Sequence, residues 1–145
     1  MISRLRIGVV VACFLLAALP VGAGKGEPDQ VVVQHILIAF KRSVPNKTLE
    51  RSRKEARALA ESLLDRAVAG EEFDALVKEY TDDQYPGTML LTNKGANRVR
   101  GGRTRDDVVP KFGDLSFRLE IDEVGLVSHH AALSPYGWHV IKRLE

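Results

Sequence analysis

Hydrophobic positions along the chain change their spacing several times, and each change marks a predicted element. From Val31 to Phe40 the side chains are mostly β-branched or apolar, over a length that suits a strand. The polar stretch Lys41–Lys47, which contains Pro45 and Asn46, ends this strand. The ordered part of the chain is therefore predicted to begin with a buried strand at Val31.

Apolar residues next recur every three or four positions, which predicts a long amphipathic helix. The residues of this stripe are Leu49, Ala56, Leu59, Ala60, Leu63, Leu64, Ala67 and Val68. Gly70 ends the pattern, as a C-terminal cap does. A second, shorter helix is predicted over Glu71–Tyr80, with acidic residues in its first turn, where the helix dipole favours them.

The second half of the chain alternates short elements with turns. Thr88–Thr92 predicts a short strand, and Val109–Leu119 predicts a third helix, which Pro110 begins. Val124–Ser128 and Tyr136–Arg143 predict two closing strands. The long loop after the second strand has no period that predicts an element. The predicted order of elements is β-α-α-β-α-β-β.

The first 23 residues carry a different pattern from the rest. Met1–Arg6 is a short basic region, Ile7–Pro20 is an apolar run, and Val21–Ala23 supplies the small residues of a cleavage site. This pattern predicts a secretory signal peptide over 1–23, followed by a linker over 24–30 and one domain over 31–145.

An uncleaved membrane anchor is the alternative, although the apolar run is shorter than the roughly 20 residues that a spanning helix needs. We therefore expect an exported protein, periplasmic or extracellular, which contacts the membrane only if this segment is retained as an anchor. A lipoprotein-type processing site at Cys13 is a further alternative. The apolar run argues against it, because the run continues from Phe14 to Leu19, whereas such a site should end it.

Cysteine content and charge exclude several classes of function. Cys13 is the single cysteine and lies inside the apolar run, so the processed chain has no thiolate nucleophile, disulfide or cysteine-based metal site. Removing residues 1–23 lowers Lys+Arg from 21 to 19, against 19 Asp+Glu. A net charge of about zero gives no bias toward nucleic acid.

Two histidines lie in similar strand contexts at opposite ends of the predicted domain. His35 lies within Val33–Ile38, and His139 lies within Tyr136–Ile141. Each is a polar ring in a hydrophobic run, and side chains alternate between the faces of a strand. If the two strands pair as central neighbours, the imidazoles meet, whereas Trp138 points to the opposite face. A structural role in the core is the alternative for both rings.

Several separated motifs in this order resemble the parvulin family of peptidyl-prolyl isomerases. Besides the two histidine strands, they are Gly70–Phe73, Glu79–Asp83, Phe112–Phe117 and Tyr136–Arg143. The resemblance covers essentially all of 31–145. It implies an α+β fold, in which helices wrap a four-stranded antiparallel sheet, and an isomerase that acts on proline-containing peptides or unfolded exported proteins.

The resemblance also implies roles for individual residues. His35 and His139 match the two active-site histidines of the family, Asp83 stands where the family has cysteine or aspartate, and Ser134 matches the hydroxyl residue placed against the second histidine. The proline pocket maps to Met89, Val108 and Phe112. No cofactor is implied, and no metal site is expected, because the adjacent His129 and His130 lack a carboxylate at suitable spacing.

The chemistry of such a site requires no bond to be broken. Resonance in the prolyl amide gives a rotation barrier of roughly 18–20 kcal/mol. An apolar pocket that holds the proline ring favours the twisted, less dipolar amide over the planar ground state. A hydrogen-bond network of Ser134, His139, His35 and Asp83 would then hold the polar side of the site in one geometry.

One stretch departs from the family pattern. The loop in Gly87–Arg105 is longer than in many parvulins, and it carries four arginines next to the expected site: Arg98, Arg100, Arg103 and Arg105. Their alternative partners are an acidic client, a membrane surface or water alone, and we expect a solvated loop. Ala39 stands where a phosphate-selecting basic residue is expected, so phosphate specificity is not predicted. Because this loop would shape the pocket wall, the alternative function is a parvulin-like chaperone that binds clients without catalysis. The oligomeric state stays open.

Overall fold

The computed structural model describes residues 26–145, and within this range the chain forms five strands and three α-helices. Their bounds are β1 Gln30–Ile38, α1 Arg53–Val68, α2 Phe73–Tyr80, β2 Thr88–Thr92, β3 Arg103–Thr104, α3 Pro110–Arg118, β4 Val124–Val127 and β5 Trp138–Arg143. A single 3-10 turn, Arg105–Asp107, joins β3 to the segment before α3. The predicted order of the longer elements is therefore confirmed.

The strands form one sheet in the order β3-β2-β1-β5-β4. Four of them pair antiparallel, which confirms the predicted α+β fold. The fifth strand is a correction to the predicted count, because Arg103 and Thr104 pair parallel with Leu91 and Thr92. A strand of two residues is too short to show the alternation from which strands are predicted.

The register between β1 and β5 decides where the histidines point. His35 lies opposite Ile141, and Leu37 lies opposite His139. Residues that lie opposite each other on antiparallel strands share a face of the sheet, so both histidines are on one face. Trp138 points to the other face, as predicted, and packs in the core there.

Helices cover both faces of the sheet and enclose two cores. Under α1 and α2 the buried residues are Ile36, Ile38, Ala56, Ala60, Leu63, Phe73, Leu76, Val77, Trp138 and Val140. Under α3 they are Val31, Val33, Leu91, Phe112, Phe117, Leu119, Val127 and Ile141. Burial of these apolar side chains is the main favourable term in folding. The histidine face belongs to the second core.

Helix α1 begins at Arg53, later than Leu49, where the apolar stripe begins. The Ser52 hydroxyl accepts from the backbone N–H of Glu55 at 3.2 Å, and the Glu55 carboxylate accepts from the N–H of Ser52 at 2.7 Å. This reciprocal cap satisfies two N–H groups that have no partner inside the helix. The cap, rather than the apolar stripe, therefore sets the start of the helix.

Residues 26–30, which composition assigns to a linker, contact the domain. Glu27 forms an ion pair with Arg105 at 2.5 Å. Asn93 donates from its side-chain amide to the carbonyl of Pro28 at 3.1 Å. These contacts bring the segment before β1 against the loop that follows β2.

The predicted signal peptide, with its alternatives of an anchor or a lipidated Cys13, falls on residues 1–23 and lies outside the described residues. Among residues 26–145, no helix combines the length and the apolar character needed to cross a membrane.

Candidate active site

The two imidazoles meet on the α3 side of the sheet. The ring centroids of His35 and His139 are 5.7 Å apart, with planes inclined at 45°. They lie on the neighbouring inner strands β1 and β5. His139 pairs with Leu37, which follows His35 by two residues and points to the same face of the sheet. The predicted convergence of the two histidines is therefore confirmed.

His35 is held by one contact on each ring nitrogen. Its Nδ1 lies 3.0 Å from the carbonyl oxygen of Gly87, and its Nε2 lies 3.2 Å from Oδ2 of Asp83. A carbonyl and an ionised carboxylate can only accept, whereas a neutral imidazole has a single N–H. Both contacts are satisfied together only when His35 donates from both nitrogens.

Position 87, which faces His35, requires a glycine. Its φ is +66°, and a Cβ added there would lie 2.7 Å from the backbone oxygen of His35. Its carbonyl accepts both the backbone N–H of His35, at 3.1 Å, and the ring Nδ1. A residue with a side chain would therefore push β1 away from the turn that orients the ring.

Asp83 is placed by the turn that follows α2. The preceding Asp82 accepts from the backbone N–H of Ala39 at 2.8 Å and pairs with Arg51 at 2.6 Å, which fixes this turn to the end of β1. The hydrogen bond from His35 lowers the pKa of Asp83 to about 2, and the N–H of Gln84 acts in the same direction. Asp83 is therefore a carboxylate at neutral pH.

His139 lies in a different environment from His35. Its side chain is 6 % exposed, and neither ring nitrogen has a hydrogen-bond partner within residues 26–145. Burial, together with the smaller effect of the neighbouring His35, lowers the pKa of His139 to about 3. The ring is therefore neutral at physiological pH.

The predicted hydrogen bond between Ser134 and His139 is wrong. Ser134 is fully buried, and its hydroxyl donates to the carbonyl of Gly137 at 3.1 Å. Its backbone pairs in both directions with His130. A serine in a turn commonly bonds a backbone group a few residues away. Ser134 therefore holds the turn that precedes β5.

Three apolar residues line the pocket beside the imidazoles. Phe112 packs edge-on against both rings, with centroid distances of 5.1 Å to His35 and 5.3 Å to His139. Met89 from β2 and Val108 from the segment before α3 line the same pocket, which has a volume of about 350 Å³. The structure thus brings together the three predicted pocket residues, the two histidines and Asp83.

The family model of the PPIC-type peptidyl-prolyl isomerase domain matches residues 20–145. The chain belongs to the parvulin family. Chaperone SurA of Pseudomonas fluorescens is 33 % identical over 127 residues, which cover 85 % of this chain and 25 % of SurA. A parvulin-like isomerase of Rickettsia bellii is 30 % identical over 124 residues, which cover 83 % of this chain and 34 % of that protein.

This parvulin chain thus spans a quarter to a third of the length of these two relatives. Among solved structures, the peptidyl-prolyl isomerase ESS1 of Candida albicans superposes with a TM-score of 0.57 at 21 % identity. The match covers 81 % of this chain and 63 % of ESS1. At this level of identity the likeness supports the fold alone.

The parvulin pocket also contains residues that the sequence reasoning did not assign to it. They are Arg103, Asp106, Asp107, Val109 and Tyr136. Arg103 reaches the pocket because the short strand β3 pairs with β2, and no periodicity indicates that pairing. Two of these residues had a signal: Tyr136 begins the quoted motif that contains His139, and Arg103 belongs to the basic loop expected next to the site.

The loop arginines do not share one environment. Arg105 was expected to be solvated, but it is largely buried: its guanidinium pairs with Glu27 and Asp114 and lies over the Phe117 ring, 5.1 Å from its centroid. Arg98 pairs with Asp107 at 2.8 Å. Arg105 is therefore structural in this parvulin domain, and only Arg103 borders the site.

The remaining histidines have structural surroundings. His129 packs against Phe40 and Trp138, with ring centroids 4.9 and 5.6 Å away. His130 accepts on Nδ1 from the backbone N–H groups of Ala132 and Leu133, both at 3.2 Å. Within residues 26–145, no three His, Cys, Asp or Glu side chains converge as metal ligands.

Proposed function

We propose that this parvulin domain catalyses cis/trans isomerisation of the peptide bond before proline in peptides and unfolded proteins. The observation that carries the proposal is the apolar pocket of Met89, Val108 and Phe112, directly beside the polar pair His35–Asp83. A pyrrolidine ring is apolar and compact, and a pocket of about 350 Å³ accommodates it together with its flanking backbone.

The pocket assists the reaction by favouring the twisted amide. Rotation removes the resonance that makes the planar amide strongly dipolar, so transfer from water to an apolar pocket costs the twisted form less than the planar form. Only interactions that are stronger in the twisted state increase the rate. Contact of the proline ring with Phe112 is the interaction that we assign to this effect.

The polar side of the site orients the client. His35 is held by Gly87 and Asp83, so it needs no reorganisation when the amide twists. His139 remains neutral and both of its ring nitrogens are buried, so we assign it to packing against His35 and Phe112 rather than to a hydrogen bond with the client. Ser134 is a positioning residue, because it acts on His139 through the turn at Gly137. No proton transfer to the client is needed.

A binding function without catalysis is the second candidate. The relative from Pseudomonas fluorescens is named a chaperone, and a pocket that holds proline-containing segments also retains unfolded chains. In this candidate the domain suppresses aggregation, including that of clients without proline. For either function we propose that the protein acts after export, which rests on the signal-peptide pattern of residues 1–23.

The test is the isomerisation rate of an Ala-Pro peptide with the purified chain and three variants. We expect Asp83→Asn, which removes the charge facing His35, and Met89→Ala, which opens the pocket, each to lower kcat/KM by about tenfold. Ile121→Ala is the matched control: Ile121 is 59 % exposed and does not line the pocket, so its loss should leave the rate unchanged.

The outcomes separate the two candidates. A folded protein that accelerates no peptide, yet suppresses aggregation of a proline-free client equally well with Met89→Ala, supports the chaperone alternative. A rate that falls as much in Ile121→Ala as in Met89→Ala contradicts the assignment of the pocket, because it reports a general loss of folded protein.

A further inference from the structure

A second, smaller pocket adjoins the proline pocket. Its volume is about 230 Å³, and Tyr85 and Thr88 contribute to its wall. It shares four lining residues with the larger pocket: His35, Asp83, Met89 and Arg103. The two pockets are therefore contiguous along these residues.

The acidic groups around these pockets are already engaged. Asp83 accepts from His35 on Oδ2 and from the backbone N–H of Gln84 on Oδ1, at 2.8 Å. Asp106 pairs with Lys94 at 2.9 Å. Asp107, at the same wall, pairs with Arg98 at 2.8 Å and also accepts from the N–H of Thr104. These carboxylates therefore leave little negative charge for a cationic ligand.

Arg103 is the exception among the charged groups of the wall. Within residues 26–145 its side chain forms no ion pair, and it makes no side-chain hydrogen bond there. Its backbone is fixed opposite Leu91 by the parallel pairing of β3 with β2. The guanidinium has five N–H donors in a planar fork, which match the two oxygens of a carboxylate.

We propose that the smaller pocket binds an acidic side chain next to the client proline, with Arg103 as the residue that determines this specificity. The inference rests on the proposed function, because a proline in the larger pocket sets the position of its neighbour. A client glutamate or aspartate finds open donors on Arg103, whereas a client lysine meets a like charge at the same place.

The test compares Glu-Pro, Gln-Pro and Lys-Pro peptides, and the matching series in which the variable residue follows proline. The proteins are the wild-type chain, Arg103→Gln and Arg103→Glu. Arg100→Gln is the matched control: it removes one positive charge from the same loop, and Arg100 does not line either pocket.

In at least one of the two series, the wild type should favour glutamate over lysine by about fivefold in kcat/KM, as expected for an exposed ion pair. The preference should vanish in Arg103→Gln, reverse in Arg103→Glu and persist in Arg100→Gln. It should also weaken in high salt, because exposed charges are screened.

Equilibrium binding of the same peptides, followed by fluorescence anisotropy, separates the two hypotheses. If no peptide is isomerised but glutamate still binds better through Arg103, the proposed activity fails and the acidic specificity stands. If peptides are isomerised with no preference between glutamate and lysine in rate or binding, the inference is overturned and the isomerase stands. An equal effect of Arg100→Gln also overturns it, since the charge of the whole loop would then be responsible.

Discussion

The buried, neutral His139 should make the stability of this parvulin domain fall in mild acid. The unfolded ring has an ordinary pKa of 6.5, and burial lowers the pKa in the folded domain to about 3. Between these two values the unfolded chain binds a proton that the folded domain does not bind. Acidification through this window therefore favours unfolding.

The size of the effect follows from the two pKa values. One pKa unit corresponds to 1.36 kcal/mol, and pH 5 lies about 1.5 units below the unfolded value, so this ring should cost about 2 kcal/mol at pH 5. The pKa of Asp83 is lowered from 3.8 to about 2, so this group is ionised in both states at pH 5. Measurement at pH 5 therefore isolates the histidine contribution from that of the carboxylate.

The perturbation is His139→Leu, which keeps a similar volume and removes the ionisable ring. Urea unfolding gives the free energy of unfolding of each protein at pH 8 and at pH 5. The decrease from pH 8 to pH 5 should be about 2 kcal/mol smaller in the variant than in the wild type. At pH 8 the variant should lie within about 1 kcal/mol of the wild type, since it replaces two buried nitrogens that have no partner within residues 26–145.

Ile121→Ala is the control, because Ile121 is 59 % exposed and has no ionisable group, so its substitution should leave the wild-type pH dependence intact. Equal losses of stability in the wild type and in His139→Leu would refute the reasoning. The ring of His139 would then titrate alike in the folded and unfolded states, and its burial could not be what sets its charge.

Three further predictions address the fold and the site. Phe112→Ala should lower the free energy of unfolding by about 3–5 kcal/mol in urea titrations, because a buried aromatic ring is lost from the core under α3; a loss below about 1 kcal/mol would contradict this packing. Gly87→Ala should destabilise the domain and shift the His35 ring resonances in NMR spectra, since the added methyl group meets the backbone of β1; unchanged resonances would argue against this close approach. Ser52→Ala should cost about 1 kcal/mol of stability in urea unfolding and leave isomerisation unchanged, because the cap of α1 lies away from the pocket; a loss of rate in folded protein would count against that separation.

Local patterns predicted the elements whose signals lie within a few residues. Runs of β-branched and apolar residues in Val31–Phe40 and Tyr136–Arg143 indicated two strands, and the histidine in each run was expected on a packed face. The apolar stripe placed α1 correctly, but its start was predicted from Leu49 although the reciprocal cap of Ser52 and Glu55 sets it. Apolar residues just before a helix have the same spacing as those within it, so only the cap resolves the boundary.

Contacts between distant segments were harder to predict. The resemblance brought His35, Asp83, Phe112 and His139 to one site, and the structure places them together. It misassigned the partner of Ser134, because a hydroxyl in a turn has several acceptors within reach and packing selects among them.

The sequence by itself determined the order of elements and the face on which each histidine lies, because these depend on residue type and on the period of the chain. Its resemblance to the parvulin family identified the residues of the apolar pocket. Only the tertiary structure decided the pKa values of the site. Burial by neighbours from other elements lowers the pKa of His139 to about 3, and the hydrogen bond from His35 on β1 lowers the pKa of Asp83 to about 2. Arg103 borders the pocket because a two-residue strand pairs with β2. Solvation and long-range pairing depend on the whole fold, and no local pattern encodes them.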